Sequence, residues 1–382
     1  LLAAAVFTVA RDSVFWKRYL LTVTDARGPL PASFYEPVVV LEGTQEPAPP
    51  RVSPEEEQLV PAALEAAAEY AKAHGSTALI VCRRGHIVFE RYWDGGGFET
   101  LVDSGSFTPV LAALAVGIAM GERKIGLVAE PVANYVQELG SDERGTITIA
   151  NLLTGASGLE ISDDGRWPWS ARVRERLSPG LTRTCLEKPL AAPPGSRWSG
   201  PPERQPCDAQ ILAHVIERAT GKPLGQVVRE KVTAPLGMTD TGFAVTDPAR
   251  LAPPYIHRAP GTEPMAPERM TDNVRLPMVA SHITFAPSRA LNPDAYPSGG
   301  AGMVGTARDI LALLEAVRTG GGTVLKPETV AQMMVDHSDA ANRPDAHGWG
   351  FGLGWSVLLD PAAAATPHAR GTFRWGGVYG HS

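Results

Sequence analysis

The cysteines are the first residues whose spacing could support chemistry. The chain has three, Cys82, Cys185 and Cys207, and they form no Cys-x-x-Cys pair and no Cys/His group with the spacing of a zinc site. No metal or organic cofactor is implied. Cys82 lies in an apolar run and is predicted to be a small core residue. Cys185 and Cys207 bracket a proline-rich stretch, where they either form a disulfide worth roughly 3 kcal/mol or remain two free thiols.

The motifs of several common enzyme classes are absent. The sequence contains no Gly-x-Ser-x-Gly, no His-Glu-x-x-His and no Walker A loop. One Gly-x-Gly-x-x-Gly pattern occurs at Gly300, Gly302 and Gly305, but neither a clear preceding strand nor a parallel βαβ unit supports dinucleotide binding. We interpret the pattern as a glycine-rich loop that enters a helix.

Six short stretches carry a resemblance to a known family. They are residues 114–119, 152–159, 217–224, 235–243, 297–303 and 375–381. In this order they resemble the serine β-lactamase and penicillin-binding-protein superfamily, above all its class C β-lactamase-like family VIII carboxylesterases. The resemblance covers roughly residues 55–382. It implies an α+β, β-lactamase/transpeptidase-like fold, in which helices flank an antiparallel sheet and a mostly helical lobe is inserted.

The resemblance implies acyl transfer by a serine. Counting back from Gly117 assigns the nucleophile to Ser106, just before a buried helix. The family has a lysine three residues later and a tyrosine from the lobe, because a weak hydroxyl nucleophile needs an adjacent base. A Trp-Gly-Gly strand forms the opposite wall and offers backbone donors to the oxyanion. In this sequence the wall and its extension are Trp375, Gly376, Gly377 and Tyr379.

The sequence departs from the family pattern at both proton-handling positions. The lysine position is Pro109, and Gly200 stands where the tyrosine of the Pro-Gly-x-x-Trp-x-Tyr pattern is expected. No Ser-x-x-Lys occurs anywhere in the chain. Because proline suits the first helical position, Thr108 is predicted to cap the helix, which leaves Ser106 outside its first turn. His381 is a candidate substitute base.

The elements that must position these residues follow from capping signals and hydrophobic periodicity. Ser53, Pro54 and Glu56 predict the start of a helix that ends near residue 74, and Thr306 with Asp309 predicts another helix start. The run 110–120 is apolar on nearly every side, which indicates a buried central helix. The other predicted helices are 149–153, 209–220, 224–232, 307–318 and 327–335. The predicted strands are 78–82, 86–93, 351–359 and 372–379.

The composition of the chain and its first 52 residues indicate which partners to exclude and where the protein is located. The chain has 382 residues and a net charge of −6, so a basic nucleic-acid surface is not expected. Residues 1–52 are predicted to be the remnant of an apolar leader or membrane anchor and a linker, which favours a periplasmic or membrane-anchored extracytoplasmic location over a cytoplasmic one. Residues 53–104 and 295–382 are predicted to form the α/β domain, without the family's last strands and helix, and residues 105–294 the helical lobe.

Two functions remain open from the sequence. The first is an esterase-like serine hydrolase that acts on a small ester or amide through Ser106, with activity impaired by Pro109 and the missing tyrosine. The second is a non-catalytic binding protein, a pseudoenzyme that keeps the cleft without its proton relay.

Overall fold

The structure of the chain is a computed structural model. It describes residues 50–103, 107–160, 181–198, 206–243, 247–252, 298–338 and 347–375, with residues 16, 245, 255–256 and 268–269 in addition. The α-helices in these ranges are α1 (Pro61–Ala73), α2 (Thr108–Gly121), α3 (Ile149–Leu153), α4 (Leu181–Leu186), α5 (Pro206–Thr220), α6 (Leu224–Val228), α7 (Ala307–Arg318) and α8 (Pro327–Met333). The strands are β1 (Ala78–Arg83), β2 (His86–Tyr92), β3 (Leu101–Asp103), β4 (Tyr255–Ile256), β5 (Glu268–Arg269), β6 (Val304–Thr306), β7 (Trp349–Phe351), β8 (Ser356–Leu358) and β9 (Phe373–Arg374).

Short antiparallel sheets and the helices around them give the chain an α+β fold, as the sequence predicts. Strand β1 pairs with β2, β3 with β6 and β4 with β5, and β8 lies between β7 and β9. The turn between β1 and β2 has Arg84 at φ 52° and Gly85 at φ 85°. Left-handed residues at both turn positions match the twist of a tight hairpin. The predicted hairpin is therefore confirmed.

Helix α2 forms the centre of the hydrophobic core. Every residue from Thr108 to Ala119 is buried, and alanine and leucine, which are strong helix formers, recur along the helix. The turn between β7 and β8 packs directly on this helix, since a Cβ added to Gly354 would lie 2.4 Å from the Cβ of Ala113. The predicted buried central helix is confirmed, and the β7–β8–β9 sheet is held against it.

Helix α1 begins later than the sequence predicts. Ser53 and Glu56 do exchange the two capping hydrogen bonds, Ser53 N–H to Glu56 Oε1 at 3.3 Å and Glu56 N–H to Ser53 Oγ at 3.4 Å. These bonds close a turn, after which Gln58 takes a left-handed conformation at φ 58°. Because such a residue interrupts a right-handed helix, α1 begins at Pro61. The predicted start at Pro54 is wrong, and the predicted end near residue 74 is confirmed.

Helix α2 begins one residue before its predicted start. Its first residue is Thr108, and Phe107 before it already has helical backbone angles, φ −76° and ψ −19°. The Thr108 hydroxyl is used elsewhere, because its Oγ1 accepts the N–H of Met303 at 3.3 Å. The prediction that Thr108 caps the helix is therefore wrong, and Pro109 is the second helical residue.

The strand predicted at 351–359 is two strands, β7 and β8. A turn at residues 352–355 separates them, because Gly354 takes φ 86° and the Gly352 N–H donates to Trp355 O at 2.8 Å. A left-handed glycine reverses the chain where a continuous strand was expected. The predicted single strand is wrong at this turn.

Two of the predicted helices are confirmed at both ends. Helices α3 and α7 have the predicted bounds, and α7 has the predicted cap, in which Thr306 Oγ1 accepts the Asp309 N–H at 3.1 Å. The helix predicted at 224–232 is α-helical as far as Val228 and continues as a π-helical turn over Arg229–Thr233. Within the described ranges, none of the helices has both the length and the apolar character needed to cross a membrane.

Cys82 lies on β1 and is only half-buried, so the prediction that it is a small core residue is wrong. Strand β1 is half-exposed along its whole length, which leaves the thiol near the surface. The pKa of the thiol is raised to about 11. Partial burial is the largest cause, and the nearby Glu315 carboxylate is the second.

Candidate active site

The start of α2 carries the residue that replaces the expected lysine. Ser106 itself lies outside the described residues, which resume at Phe107. Pro109 is buried in the first turn of α2. Its pyrrolidine ring has neither a proton donor nor a proton acceptor, so it supplies no base to a serine hydroxyl that precedes the helix.

A glycine-rich loop packs beside the start of α2. Strand β3 ends at Asp103, three residues before Ser106 in the chain, and pairs with β6. Residues 298–303 lie immediately before β6 in the chain. The Met303 N–H of this loop donates to Thr108 Oγ1, at 3.3 Å. The Gly-x-Gly-x-x-Gly pattern therefore runs into an antiparallel pair, whereas dinucleotide binding requires the carboxyl end of a parallel strand. The loop forms one wall at the start of the helix.

Trp375 is the first residue of the predicted opposite wall and follows β9. It is 7% exposed and meets Phe351 edge-to-face, with the ring centroids 6.3 Å apart. The predicted strand 372–379 is thus confirmed for Phe373–Arg374. The remaining wall residues and the candidate substitute base lie outside the described residues: Gly376, Gly377, Tyr379 and His381.

The Pro-Gly-x-x-Trp stretch packs on the loop that follows α3. Trp198 Nε1 donates to Thr154 O at 3.0 Å, and the Gly195 N–H donates to Ala156 O at 2.8 Å. Gly200, at the expected tyrosine position, lies outside the described residues. The stretch before Gly200 is therefore docked through backbone carbonyls of the α3 loop.

The first turn of α5 is bonded to two other segments, α4 and the loop after α3. Cys207 forms a disulfide with Cys185 of α4, which decides between the two alternatives that the sequence left open. The next residue, Asp208, is fully buried and accepts the Ser157 hydroxyl through Oδ1 at 2.6 Å. Among the described residues, Asp208 Oδ2 has no hydrogen-bond partner. The first turn of α5 thus joins α4, through the disulfide, to the loop after α3, through Asp208.

Burial raises the pKa of the Asp208 carboxyl to about 7. Desolvation is the largest cause, and it outweighs the lowering effects of the Ser157 hydroxyl and the Lys188 charge. Sequence reasoning missed this group, because an aspartate in the first turn of a helix is usually solvent-exposed. The available signal was the neighbouring Cys207, since a residue beside a buried disulfide shares its surroundings.

We expect Asp208 to make folding stability decrease as the pH rises toward neutrality. The unfolded carboxyl loses its proton near pH 3.8 and the folded one near pH 7, so between these values the folded state holds more protons. The free energy of unfolding should fall by up to about 4 kcal/mol over this range, at ~1.4 kcal/mol per pKa unit, and then level off. Urea unfolding of the wild type and Asp208→Asn at pH 5, 6, 7 and 8 measures the effect.

The asparagine variant is the matched control for this titration. It keeps an oxygen for the Ser157 hydroxyl and does not ionise, so its stability relative to the wild type should rise with pH. Parallel pH profiles of the two proteins would contradict the prediction, because they would show that Asp208 titrates at the same pH in both states.

A separate cavity of about 410 Å³ lies between residues 93–100 and residues 249–252. Trp93, Phe98 and Arg250 are among its lining residues. None of the sequence-predicted site residues lines it, so we assign the candidate site to the start of α2 and not to this cavity.

Comparisons with known proteins agree with the fold and with the sequence motifs. The family described as Beta-lactamase matches residues 62–382. Esterase EstB of Burkholderia gladioli is 38% identical over 340 residues, which cover 79% of this chain and 80% of that protein. The solved structure described as EstCE1, a hydrolase with promiscuous acyltransferase activity, has a TM-score of 0.68 at 32% identity and covers 83% of this chain and 87% of its own. A penicillin-binding protein from Bacillus halodurans shares the fold at a TM-score of 0.55 and 18% identity, covering 78% of this chain and 83% of its own.

Proposed function

Because the chain belongs to the beta-lactamase family of serine hydrolases, we propose that it is an esterase-like enzyme that cleaves small esters slowly through Ser106. The membership and the β-lactamase/transpeptidase-like fold confirm the resemblance seen in the sequence. The description of the relative EstB as an esterase supports an ester as the substrate class, and the description of EstCE1 as a hydrolase with acyltransferase activity supports acyl transfer.

The proposed reaction forms and then breaks an acyl-serine. Ser106 Oγ attacks the ester carbonyl, its proton passes to a base, and the alcohol leaves with a proton. Water then attacks the acyl-serine, which releases the carboxylic acid and restores the hydroxyl. We assign the oxyanion donors to backbone N–H groups around Ser106 and in the Trp-Gly-Gly wall at 375–377.

Pro109 is the observation that carries the proposal of slow turnover. It occupies the first turn of the buried helix, where the family has the lysine that handles the serine proton. Removing one proton-handling group from a serine site typically lowers kcat by ~10⁴–10⁶-fold. Gly200 also lacks a phenol, so His381 is the substitute base that we propose for the remaining activity.

The same observation favours a second candidate, a binding protein without catalysis. A cleft that keeps its walls and lacks its base can hold an ester without breaking it. The two candidates predict different products from the same incubation, which makes them separable.

An extracytoplasmic location is a further part of the proposal. The Cys185–Cys207 disulfide supports it, because structural disulfides persist in oxidising compartments and are rare in the cytosol.

Covalent labelling at Ser106 distinguishes the enzyme from the binding protein. We expect a fluorophosphonate to add once, at Ser106, and p-nitrophenyl acetate and butyrate to release p-nitrophenol slowly, as measured by intact mass, peptide mapping and absorbance. Ser106→Ala should lose the adduct and keep the wild-type Tm. Reversible ester binding without an adduct would support the binding protein, and an adduct on another residue would refute the assignment of Ser106.

A further inference from the structure

We propose that Gln210 is a positioning residue that holds the wall at residues 298–303 in place beside the start of α2. The inference rests on the proposed function, because this wall is bonded to Thr108, two residues after Ser106 in the chain. Gln210 lies in α5, three residues after the disulfide cysteine Cys207, and is fully buried. Buried amides are uncommon, and they are stable where their polar atoms are paired.

The amide oxygen and the amide nitrogen of Gln210 contact different segments of the chain. Its Oε1 accepts the Ser298 hydroxyl at 3.0 Å and the Gly299 N–H at 3.2 Å. Ser298 Oγ in turn accepts the Gly300 N–H at 3.2 Å. At the other end, Gln210 Nε2 donates to Thr182 Oγ1 at 2.9 Å. A single buried amide therefore joins the wall to α4.

Gly299 shows how closely the wall approaches α5. A Cβ added to Gly299 would lie 2.1 Å from Ala209 O and 2.9 Å from Ala213 Cβ, so the position has room for glycine alone. The wall backbone thus touches the helix at this point. Gln210 Oε1 accepts the N–H of Gly299 and so fixes the orientation of the wall relative to α5.

The far end of the wall is attached to α2. The Met303 N–H donates to Thr108 Oγ1, and Thr108 lies two residues after Ser106 in the chain. The six-residue wall is therefore held at one end by Gln210 and at the other by Thr108. Since misplacement of reacting groups by 1 Å lowers rates by ~10²-fold, loosening the first attachment should slow acylation more than it weakens ester binding.

Gln210→Met tests the proposal, because it keeps the length of the side chain and removes both polar atoms. At saturating p-nitrophenyl butyrate we expect the acylation rate constant of Ser106 to fall about 10-fold to 10²-fold, with KM changed by less than about 3-fold. Amide hydrogen exchange at Gly299 should accelerate in the same variant, since its N–H loses its acceptor.

Thr182→Val is the matched control. It removes the partner at the α4 end of Gln210 and leaves both bonds to the wall. Its acylation rate constant should stay within about 3-fold of the wild type, and exchange at Gly299 should be unchanged. This difference separates positioning of the wall from a general loss of stability, which both substitutions share.

Several results would overturn the proposal. One is a Gln210→Met acylation rate within about 3-fold of that of Thr182→Val, and another is unchanged exchange at Gly299. If Gln210→Met does not fold, Ser298→Ala removes one of the two wall donors to Gln210. It must then show slower acylation and faster exchange at Gly300, whose N–H loses the Ser298 Oγ acceptor. If wild-type Ser106 takes no acyl group, the proposed function fails, and exchange at Gly299 alone decides the role of Gln210.

Discussion

Pro109→Lys is expected to raise the rate of Ser106 acylation by about 10²-fold, because general-base catalysis contributes ~10²–10⁴-fold. Position 109 is the second residue of α2, where the backbone N–H needs no partner within the helix, so replacing proline there preserves the helix. Burial at this position lowers the pKa of an introduced amine and keeps part of it neutral, as a base must be. Stopped-flow release of p-nitrophenol from p-nitrophenyl butyrate measures the gain.

Pro109→Met is the control for the lysine variant, since it adds a side chain of similar length without the amine. Its acylation rate should stay within about 3-fold of the wild type. An equal gain in both variants would show that release of the proline constraint, and not proton transfer, speeds the reaction. No gain with lysine, in a protein that fluorophosphonate still labels at Ser106, would show that the missing amine does not limit the rate.

Glu90→Ala is expected to lower the free energy of unfolding by about 1.5–3 kcal/mol, because it removes a buried carboxylate whose hydrogen bonds hold the largely covered Arg308 guanidinium. The Glu90 side chain is 2% exposed on β2. Arg308 of α7 donates to it from Nε at 2.7 Å and from Nη2 at 3.0 Å, while Arg51 and the Tyr92 hydroxyl also contact it. The carboxylate therefore joins the chain before α1, the β1–β2 hairpin and α7.

Urea unfolding of Glu90→Ala and Arg51→Ala, followed by circular dichroism, tests this prediction. The Arg51 side chain is 57% exposed, so its loss should lower the free energy of unfolding by less than about 1 kcal/mol. Equal effects of the two substitutions would contradict the buried-network argument. An unchanged urea m-value in both proteins would show that the midpoint shift reflects native-state stability.

The sequence predicted elements best where the deciding contact is local. The α7 cap joins Thr306 and Asp309, which are three residues apart, and both its bond and its position were predicted correctly. Ser53 and Glu56 make the same kind of contact, yet the helix does not follow. Their two bonds are compatible with a turn as well as with a helix, and the left-handed Gln58 that separates the two outcomes leaves no clear mark in the sequence.

The candidate site was predictable where family motifs fix a position and unpredictable where buried polar contacts do. Pro109 was located by counting from Gly117, and α2 holds it in the first turn. The partners of Asp208 and Gln210 are 51 and 88 residues away along the chain, so no local pattern reveals them. Aspartate and glutamine side chains also normally face solvent. On a helix that has both polar and apolar positions, the sequence therefore gives no sign that these two side chains are buried.

The high pKa of the Cys82 thiol has a practical consequence for reagent chemistry. Thiolates, not thiols, react with maleimides and iodoacetamide, and a pKa of about 11 leaves very little thiolate at neutral pH. The other two cysteines are joined to each other. The oxidised protein should therefore react very little with fluorescent alkylating reagents. Labelling that appears after mild reduction would report opening of the Cys185–Cys207 disulfide, and no cysteine would have to be removed by mutation.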